Sequence, residues 1–274
     1  MGKIFRIILL ISSKKISLTF LISIILINMA AAQDGLWQNK KCAVALTYDD
    51  ALNVHLDNVI PLLDSLGFRG TFYLSGYFPG FGSRIKDWKA VAERGNELGN
   101  HTLFHPCNGK APGREWVNPE YDLSRYSVQR MKDEIKMTNI LLTALDGKTK
   151  RTFAYPCGDK LAGDSSYVDA IRDQFTGARS VQFRLEDKNK IDLFDIGSYM
   201  ANGQSGDELI NLVKEAMNKK ALLVFLFHGV GGEHNINVSL EAHSKLLHFL
   251  KENEKEIWIA PLNEIAEYII NSKK

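Results

Sequence analysis

The chain has 274 residues, of which 45% are hydrophobic and 24% charged, with a formal net charge of +2. This is the composition of an ordinary globular protein that can bury one sizeable core, and the chain shows no low-complexity tract or internal repeat. A charge so close to neutral excludes the basic surface that nucleic-acid binding requires.

The first 32 residues differ from the rest. Basic residues up to Lys15 precede an apolar run over residues 16–29, and three alanines end at Ala32. This pattern predicts a signal peptide over residues 1–32 that is cleaved on export. The apolar run is short for a spanning helix, so we expect no stable membrane span after processing; an uncleaved anchor is the alternative. Loss of the segment's four basic residues changes the net charge from +2 to −2. We therefore expect a secreted or periplasmic protein with one domain over residues 33–274.

Strand-like and helix-like segments alternate along the remainder of the chain. Strands are predicted at residues 42–48, 70–74, 97–99, 152–155, 177–180, 221–227 and 257–260. Helices are predicted at residues 56–66, 85–94, 124–145, 167–174, 207–219, 238–253 and 261–270. Such alternation predicts an α/β fold of parallel strands with helical crossovers, here a single distorted (β/α) barrel, with an open doubly wound sheet as the alternative. In either fold, ligands bind at the C-terminal rim of the strands.

Two adjacent carboxylates, Asp49 and Asp50, directly follow the first buried strand. Like charges side by side repel, so stability explains the pair poorly unless a cation gives the two acids different roles. The alternative is that one of them caps the next helical turn.

Two histidines, His101 and His105, follow the third predicted strand at a spacing of four residues. On a helical turn this spacing places both rings on one face, where they can bind a single metal ion. Two unrelated histidines on a helix face would give the same pattern.

A third histidine, His228, ends the apolar strand at residues 221–227. It is either a hydrogen-bonded core residue or a third titratable group at the rim. Taken together, the rim residues predict a metal site of one aspartate and two histidines that leaves a position open for water, as in hydrolytic zinc sites. The second aspartate is then a candidate base, and His228 a candidate acid.

At this point the sequence resembles the polysaccharide deacetylases, the carbohydrate esterases that share the nodulation-factor deacetylase homology domain. The resemblance covers roughly residues 40–270 and rests on Thr47–Asp50, on His101–His105 and on the approach to His228. It implies Asp49 as catalytic base and His228 as catalytic acid. It also implies Asp50, His101 and His105 as ligands of Zn²⁺ or another divalent transition metal.

Two family motifs are altered in this chain. The motif that normally supplies an arginine to orient the base reads Ala154-Tyr155-Pro156-Cys157. Arg151 lies three residues earlier, where a strand would turn it to the opposite face, so we do not expect it to substitute. Asp192 and Asp195 lie where the family has an aspartate and a tryptophan near the acid histidine, but the tryptophan is missing.

The three cysteines are Cys42, Cys107 and Cys157. Cys42 is predicted to be a buried free thiol. The motif positions place Cys107 and Cys157 on neighbouring loops, and we predict a disulfide between them that braces the metal site; metal ligation by either is the alternative. The resemblance also indicates the backbone N–H of Cys157 as an oxyanion donor.

The implied function is metal-dependent deacetylation of a carbohydrate polymer or oligomer. An N-acetylglucosamine-containing substrate, such as a chitooligosaccharide or peptidoglycan, is favoured. The alternatives are an O-acetyl xylan esterase and a glycan-binding module with impaired catalysis.

Overall fold

The computed structural model describes residues 36–273, so the predicted signal peptide lies outside the described part of the chain. The chain divides into two units at Asn39 and Lys40. In the first unit, Leu36–Asn39 forms one short turn in which Trp37 and Gln38 have left-handed backbone angles. The second unit contains the sheet, the helices and all the predicted site residues.

The sheet of this second unit has eight parallel strands. They are β1 (Cys42–Asp49), β2 (Thr71–Leu74), β3 (Glu97–Asn100), β4 (Thr152–Ala154), β5 (Gly177–Arg179), β6 (Tyr199–Met200), β7 (Leu222–Phe227) and β8 (Ile257–Ile259). Their spatial order is β5-β4-β3-β2-β1-β7-β6, and β8 also pairs with β1. One edge of β1 pairs first with β8 and then with β2, while its other edge pairs with β7.

An irregular segment ahead of β6 connects the two ends of this strand order. The Ile196 N–H donates to the Ala178 carbonyl at 3.0 Å, and the Ser180 N–H donates to the Ile196 carbonyl at 2.8 Å. A few residues later, Tyr199 pairs with Phe225 of β7. The sheet therefore curls back on itself, and the predicted distorted (β/α) barrel is confirmed.

The helices cover the outside of this sheet. They are α1 (Ile60–Leu66), α2 (Pro79–Ser83), α3 (Ile85–Glu93), α4 (Val128–Asp146), α5 (Gly206–Lys219), α6 (Leu240–Glu252) and α7 (Leu262–Ser272), and a π-helical turn at His55–Val59 precedes α1. Several helix bounds differ from the sequence prediction. Because the Ser127 side chain accepts the Arg130 N–H as an N-cap, α4 starts at Val128 instead of residue 124. The predicted helix at 167–174 is a 3₁₀ helix over Asp169–Gln174. Across residues 36–273, no helix is long and apolar enough to cross a membrane.

Strands β1 and β7 form the centre of the core, and every residue in both is buried. Their apolar side chains face the barrel interior on one side and the helices on the other, which explains why the β7 sequence is apolar without alternation. The Thr47 hydroxyl donates to the Phe225 carbonyl at 2.7 Å and satisfies a polar group within this core. The two strands thus form a rigid support for the residues at their C-terminal ends.

Candidate active site

The first site residues are the two carboxylates at the end of β1. Asp49 is its last residue, and the next two residues, Asp50 and Ala51, have left-handed φ angles of 77° and 53°. Both carboxylate residues are buried, at 2% and 3% exposure. A left-handed conformation is unfavourable for residues other than glycine, by about 1–2 kcal/mol each. The buried strand that precedes these residues holds them in this turn.

His101 and His105 are brought together by a loop, so the prediction of a helical turn was wrong. Thr102 and His105 have left-handed φ angles of 65° and 52°, which no α-helix contains. Side chains take up the N–H groups of the loop: Asn100 Oδ1 accepts from Thr102 N–H at 2.8 Å, and Thr102 Oγ1 accepts from His105 N–H at 3.0 Å. These local hydrogen bonds compete with helix formation and stabilise the loop instead.

Asp50, His101 and His105 form a group whose ligand atoms all lie within 4.8 Å of one another. The Nε2 atom of each histidine is 3.5 Å from Asp50 Oδ1. Ligands at 2.0–2.2 Å from a tetrahedral ion lie roughly 3.3–3.6 Å apart, so these separations fit a zinc-sized ion. Asp50 Oδ1 is also buried without a hydrogen-bond partner in the described chain. His101 Nδ1 donates to the Ala154 carbonyl at 2.9 Å, which leaves Nε2 free to bind a metal.

Asp49 is held by an arginine that the sequence analysis did not identify. Arg179, at the end of β5, donates from Nη2 to both carboxylate oxygens of Asp49, at 2.6 and 2.5 Å. Burial alone would raise the pKa of Asp49, but the charges of Arg179, His101 and His228 together outweigh burial and hold this pKa below its usual value. Asp49 therefore remains ionised, as a proton acceptor requires.

The location of Arg179 explains the altered family motif. Ala154 stands where the family normally has the orienting arginine, and it pairs in register with Arg179 of the neighbouring strand. The arginine is thus supplied one strand further along the sheet. Arg151 takes no part, because its guanidinium donates to Asp146 and to the Leu98 carbonyl.

His228 follows β7 and lies across the site, with Nε2 at 3.8 Å from Asp50 Oδ2. Its ring stacks on His234 with a centroid separation of 4.7 Å and an interplanar angle of 16°. The carbonyl of His228 accepts a hydrogen bond from buried His55 Nε2 at 2.7 Å. Burial lowers the pKa of His228.

No carboxylate of the described chain supports the other ring nitrogen of His228. Within residues 36–273, Nδ1 of His228 is buried and has no hydrogen-bond partner. The two aspartates that the sequence offered for this role are engaged elsewhere: Asp195 pairs with Lys160 and Arg184, and Asp192 lies near Arg172.

A disulfide joins Cys107 to Cys157 across 50 residues, with their Cα atoms 5.8 Å apart. Cys107 Sγ lies 3.6 Å from His105 Nδ1, so the bridge borders the metal-binding loop. Cys157 has a left-handed φ of 55° and lines the cleft. Both sulfur atoms are used in the bridge, which argues against metal ligation by either. Cys42 is buried and free.

The site opens into a cleft of about 390 Å³. One part of its lining is aromatic and comes from Tyr77, Phe78, Phe104, Trp116 and Tyr121. Another part is aliphatic and comes from Val181, Met200, Leu226 and Ile236. Of the histidines without an assigned role, His234 lines the cleft, whereas His243 is buried and bonded to the Tyr48 hydroxyl at 2.9 Å. His248 lies on the exposed side of α6.

The fold and the site define a parallel (β/α) barrel with carboxylate and histidine side chains gathered at the C-terminal rim. Residues 38–173 match the family model described as polysaccharide deacetylase. The chain belongs to this family. The matched stretch contains Asp49, the three candidate ligands and Cys157, and it ends before Arg179 and His228.

Solved structures of similar fold cover most of the chain. A protein from Mycobacterium smegmatis assigned to the polysaccharide deacetylases aligns with a TM-score of 0.60 and 13% identity, over 85% of this chain and 92% of that one. The Bc1960 peptidoglycan N-acetylglucosamine deacetylase aligns at 0.52 and 18%, over 82% and 87%. A family 4 carbohydrate esterase pseudoenzyme from Bacillus anthracis aligns at 0.52 and 18%, over 83% and 66%. These likenesses show the fold, and the last of them shows that the fold alone does not establish activity.

The curated relatives are distant in sequence. A gellan lyase from a Bacillus species is 22% identical over 86% of this chain, and an uncharacterised Bacillus subtilis protein, YlxY, is 26% identical over 39%. The matched regions span only 10% and 28% of those two proteins.

Proposed function

We propose that this protein is a metal-dependent hydrolase that removes acetyl groups from a carbohydrate polymer or oligomer. The proposal rests on one observation: a candidate metal site, a candidate base and a candidate acid lie together at the C-terminal rim of the barrel. Asp50, His101 and His105 offer a metal site, Asp49 is ionised and held by Arg179, and His228 Nε2 lies 3.8 Å from Asp50 Oδ2. A pure binding module needs neither a held base nor a facing histidine.

Asp49 supplies the base in this proposal. Both of its carboxylate oxygens accept from Arg179 Nη2. Asp49 Oδ2 also lies 3.9 Å from Nε2 of His101, one of the candidate metal ligands. A carboxylate in this position takes a proton from the water that attacks the acetyl carbon. Arg179 holds the carboxylate in place while this proton is transferred.

The ligand chemistry favours Zn²⁺, with other divalent transition metals as alternatives. When bound, such an ion polarises the acetyl carbonyl and lowers the pKa of water. The Cys157 N–H is proposed as a donor to the tetrahedral oxyanion, supported by the position of Cys157 in the cleft lining. The disulfide then restrains a residue that contacts the reacting group.

His228 is proposed to donate a proton to the departing amine or alcohol, after which acetate leaves. Its burial and its carbonyl bond to His55 hold the ring at the cleft wall. An acid in this position can protonate the amine that leaves when an N-acetyl group is hydrolysed, so an N-acetylglucosamine-containing substrate, such as a chitooligosaccharide or peptidoglycan, is favoured. The name of the Bc1960 neighbour supports the peptidoglycan option.

One observation favours the second candidate, an acetylxylan-type esterase. Because His228 Nδ1 has no carboxylate partner in the described chain, nothing stabilises the protonated imidazole at that nitrogen. An alcohol leaves an ester more readily than an amine leaves an amide and depends less on a strong acid. The xylan ester therefore remains a specific alternative to the amide.

We also propose that the protein is exported, to the periplasm or the outside of the cell, after removal of residues 1–32. The charge and apolar pattern of this segment supports export. The Cys107–Cys157 bridge supports it independently, since structural disulfides persist in oxidising compartments.

The function is tested by acetate release from chitotetraose, peptidoglycan and acetylated xylan, using residues 33–274 loaded with zinc. Asp49→Asn and His228→Ala remove the proposed base and acid, and His248→Ala serves as a control on an exposed histidine. We expect release from one substrate class, lost in both variants and on chelation, and unchanged in the control. Zinc binding without acetate release from any substrate would overturn deacetylation and favour a binding module.

A further inference from the structure

The aromatic part of the cleft contains a tryptophan that the proposed chemistry does not use. Trp116 is 65% exposed, more than any other large apolar side chain of the described chain. Trp88 of the same unit is fully buried. An exposed tryptophan in a cleft leaves a large apolar surface in water, and such surfaces commonly mark binding sites.

The loop that carries Trp116 is fixed to the body of the second unit. Arg114, two residues earlier, donates to the Cys157 carbonyl at 3.1 Å and pairs with Asp159. The Asn108 N–H donates to Asp159 Oδ2 at 2.8 Å, and the Cys107 disulfide anchors the start of the loop. The exposure of Trp116 is therefore set by an anchored backbone.

Other aromatic rings of the cleft extend this apolar surface towards the candidate metal ligands. Phe104 stacks on Tyr121 at 4.9 Å, and Tyr77 meets Tyr121 edge-on at 5.5 Å. Phe78 packs edge-on against His105 at 5.3 Å. The apolar surface thus reaches from the candidate ligand His105 to the exposed rim.

The charged groups of the cleft select what can bind there. Among the described residues that line it, Asp49 and Asp50 are the acids and no lysine or arginine is present. An anionic sugar ring bound in the cleft would therefore find no lysine or arginine of the lining to pair with, and losing its hydration would be costly. A neutral pyranose has apolar C–H faces that suit an aromatic ring.

We propose that Trp116 is a specificity-determining residue that stacks on a neutral pyranose ring of the glycan next to the sugar being deacetylated. This inference rests on the proposed function, because it places the neighbouring ring relative to the reacting acetyl group. It names the substrate class as an uncharged glycan of several units. Acidic glycans, such as uronic-acid polymers, are disfavoured.

The first test measures binding without chemistry. Cellotetraose and tetragalacturonate both lack acetyl groups, so neither can be turned over, and they differ in charge. We expect cellotetraose to change the tryptophan fluorescence of the zinc-loaded protein, and tetragalacturonate to bind at least about ten-fold more weakly. Trp116→Phe keeps an aromatic face, so calorimetry should still detect cellotetraose while the fluorescence change disappears. No response to cellotetraose at about 10 mM, or equal binding of the two sugars, would overturn the proposal.

The second test separates Trp116 from the reaction. Trp116→Ala should raise KM for the acetylated oligosaccharide about ten-fold, leave kcat within roughly two-fold, and leave hydrolysis of a small acetyl ester unchanged. Met137→Ala removes another exposed apolar side chain, 54% exposed on α4, and should change none of these values. An unchanged KM in Trp116→Ala would overturn the stacking role. If the wild type itself does not hydrolyse the small acetyl ester, this result would instead count against the proposed deacetylation.

Discussion

Arg179 and Asp49 form a buried ion pair between strands β5 and β1, with Arg179 fully buried and Asp49 only 2% exposed. Nε and Nη1 of Arg179 have no hydrogen-bond partner in the described chain, although its guanidinium lies 5.1 Å from the Tyr73 ring centroid. Asp49 is thus the carboxylate that compensates the arginine charge. Removal of either partner would therefore leave the other buried and unpaired, so we expect the pair to affect stability as well as the proposed catalysis.

We expect Arg179→Met and Asp49→Asn each to lower the free energy of unfolding by about 3–5 kcal/mol, because each leaves one buried group without its partner. The double variant should lose clearly less than the sum of the two. Urea unfolding of all four proteins measures the coupling. Additivity to within about 0.5 kcal/mol would show that the two side chains do not stabilise each other. Both single variants should also lose acetate release.

The Cys107–Cys157 disulfide closes a segment of 50 residues that includes the Trp116 loop. Loop-closure entropy predicts that Cys107→Ser/Cys157→Ser loses roughly 4 kcal/mol of stability. Thermal unfolding with and without a dithiol reductant measures this loss. The reductant should lower Tm in the wild type and leave the double variant unchanged, and a reductant effect in the double variant would refute the assignment to this bond.

Glu134 of α4 holds the histidine loop, since its Oε1 accepts the Phe104 N–H at 2.9 Å. Glu134→Ala removes this support, and we expect zinc affinity to fall about 10–100-fold. Competition with a chromophoric chelator measures the change. Asp133→Ala, on the exposed face of the same helix, is the matched control and should bind zinc like the wild type. Equal affinity in all three proteins would show that the loop holds its shape without Glu134.

His243 is buried beneath the site, and burial lowers its pKa from 6.5 to about 3. The folded protein therefore keeps this ring neutral, while the unfolded chain takes up a proton below about pH 6.5. This contribution to stability is complete above pH 6.5 and decreases as the pH falls towards 3. Between pH 7 and pH 5, it should account for about 2 kcal/mol of the wild-type loss.

His243→Gln cannot take up this proton and should lose about 2 kcal/mol less than the wild type over the same pH range. Urea unfolding at both pH values gives the comparison. His248→Gln, on the exposed side of the same helix, should follow the wild type. Equal pH dependence in His243→Gln and the wild type would exclude His243 as the source.

The location of the site could be predicted because buried parallel strands are visible as short apolar runs. Asp49, Asp50 and His228 lie at the ends of such runs. Because a barrel brings the C-terminal ends of its strands together, these residues could be predicted to share one site. The closeness of His101 and His105 was predicted from a helical spacing that the structure does not contain. Instead, the side chains of Asn100 and Thr102 accept backbone hydrogen bonds that shape a loop, and this loop also brings the two histidines together.

Arg179 could not be found in the same way. Its contribution depends on the register between β4 and β5, which pairs Ala154 with Arg179 and is not encoded in either short strand. The sequence offered one weak signal, a basic residue in the short strand predicted at 177–180. Likewise, the position of Trp116 depends on long-range bonds from the loop to Cys157 and Asp159.

The pairing of β1 on both edges determines where this chain tolerates a change in length. β1 is in register with β7 from Ala43 to Tyr48, and with β8 and β2 along its other edge. One inserted or deleted residue in β1 would reverse the direction of every following side chain and exchange the surroundings of Asp49 and Asp50. Apart from the bridge between Cys107 and Asp122 at its two ends, the loop at residues 106–123 pairs with no strand of the described chain, so its length can vary between those ends without moving the reacting groups. Divergence in glycan preference is therefore expected to accumulate as insertions and deletions there, while β1 keeps a constant length.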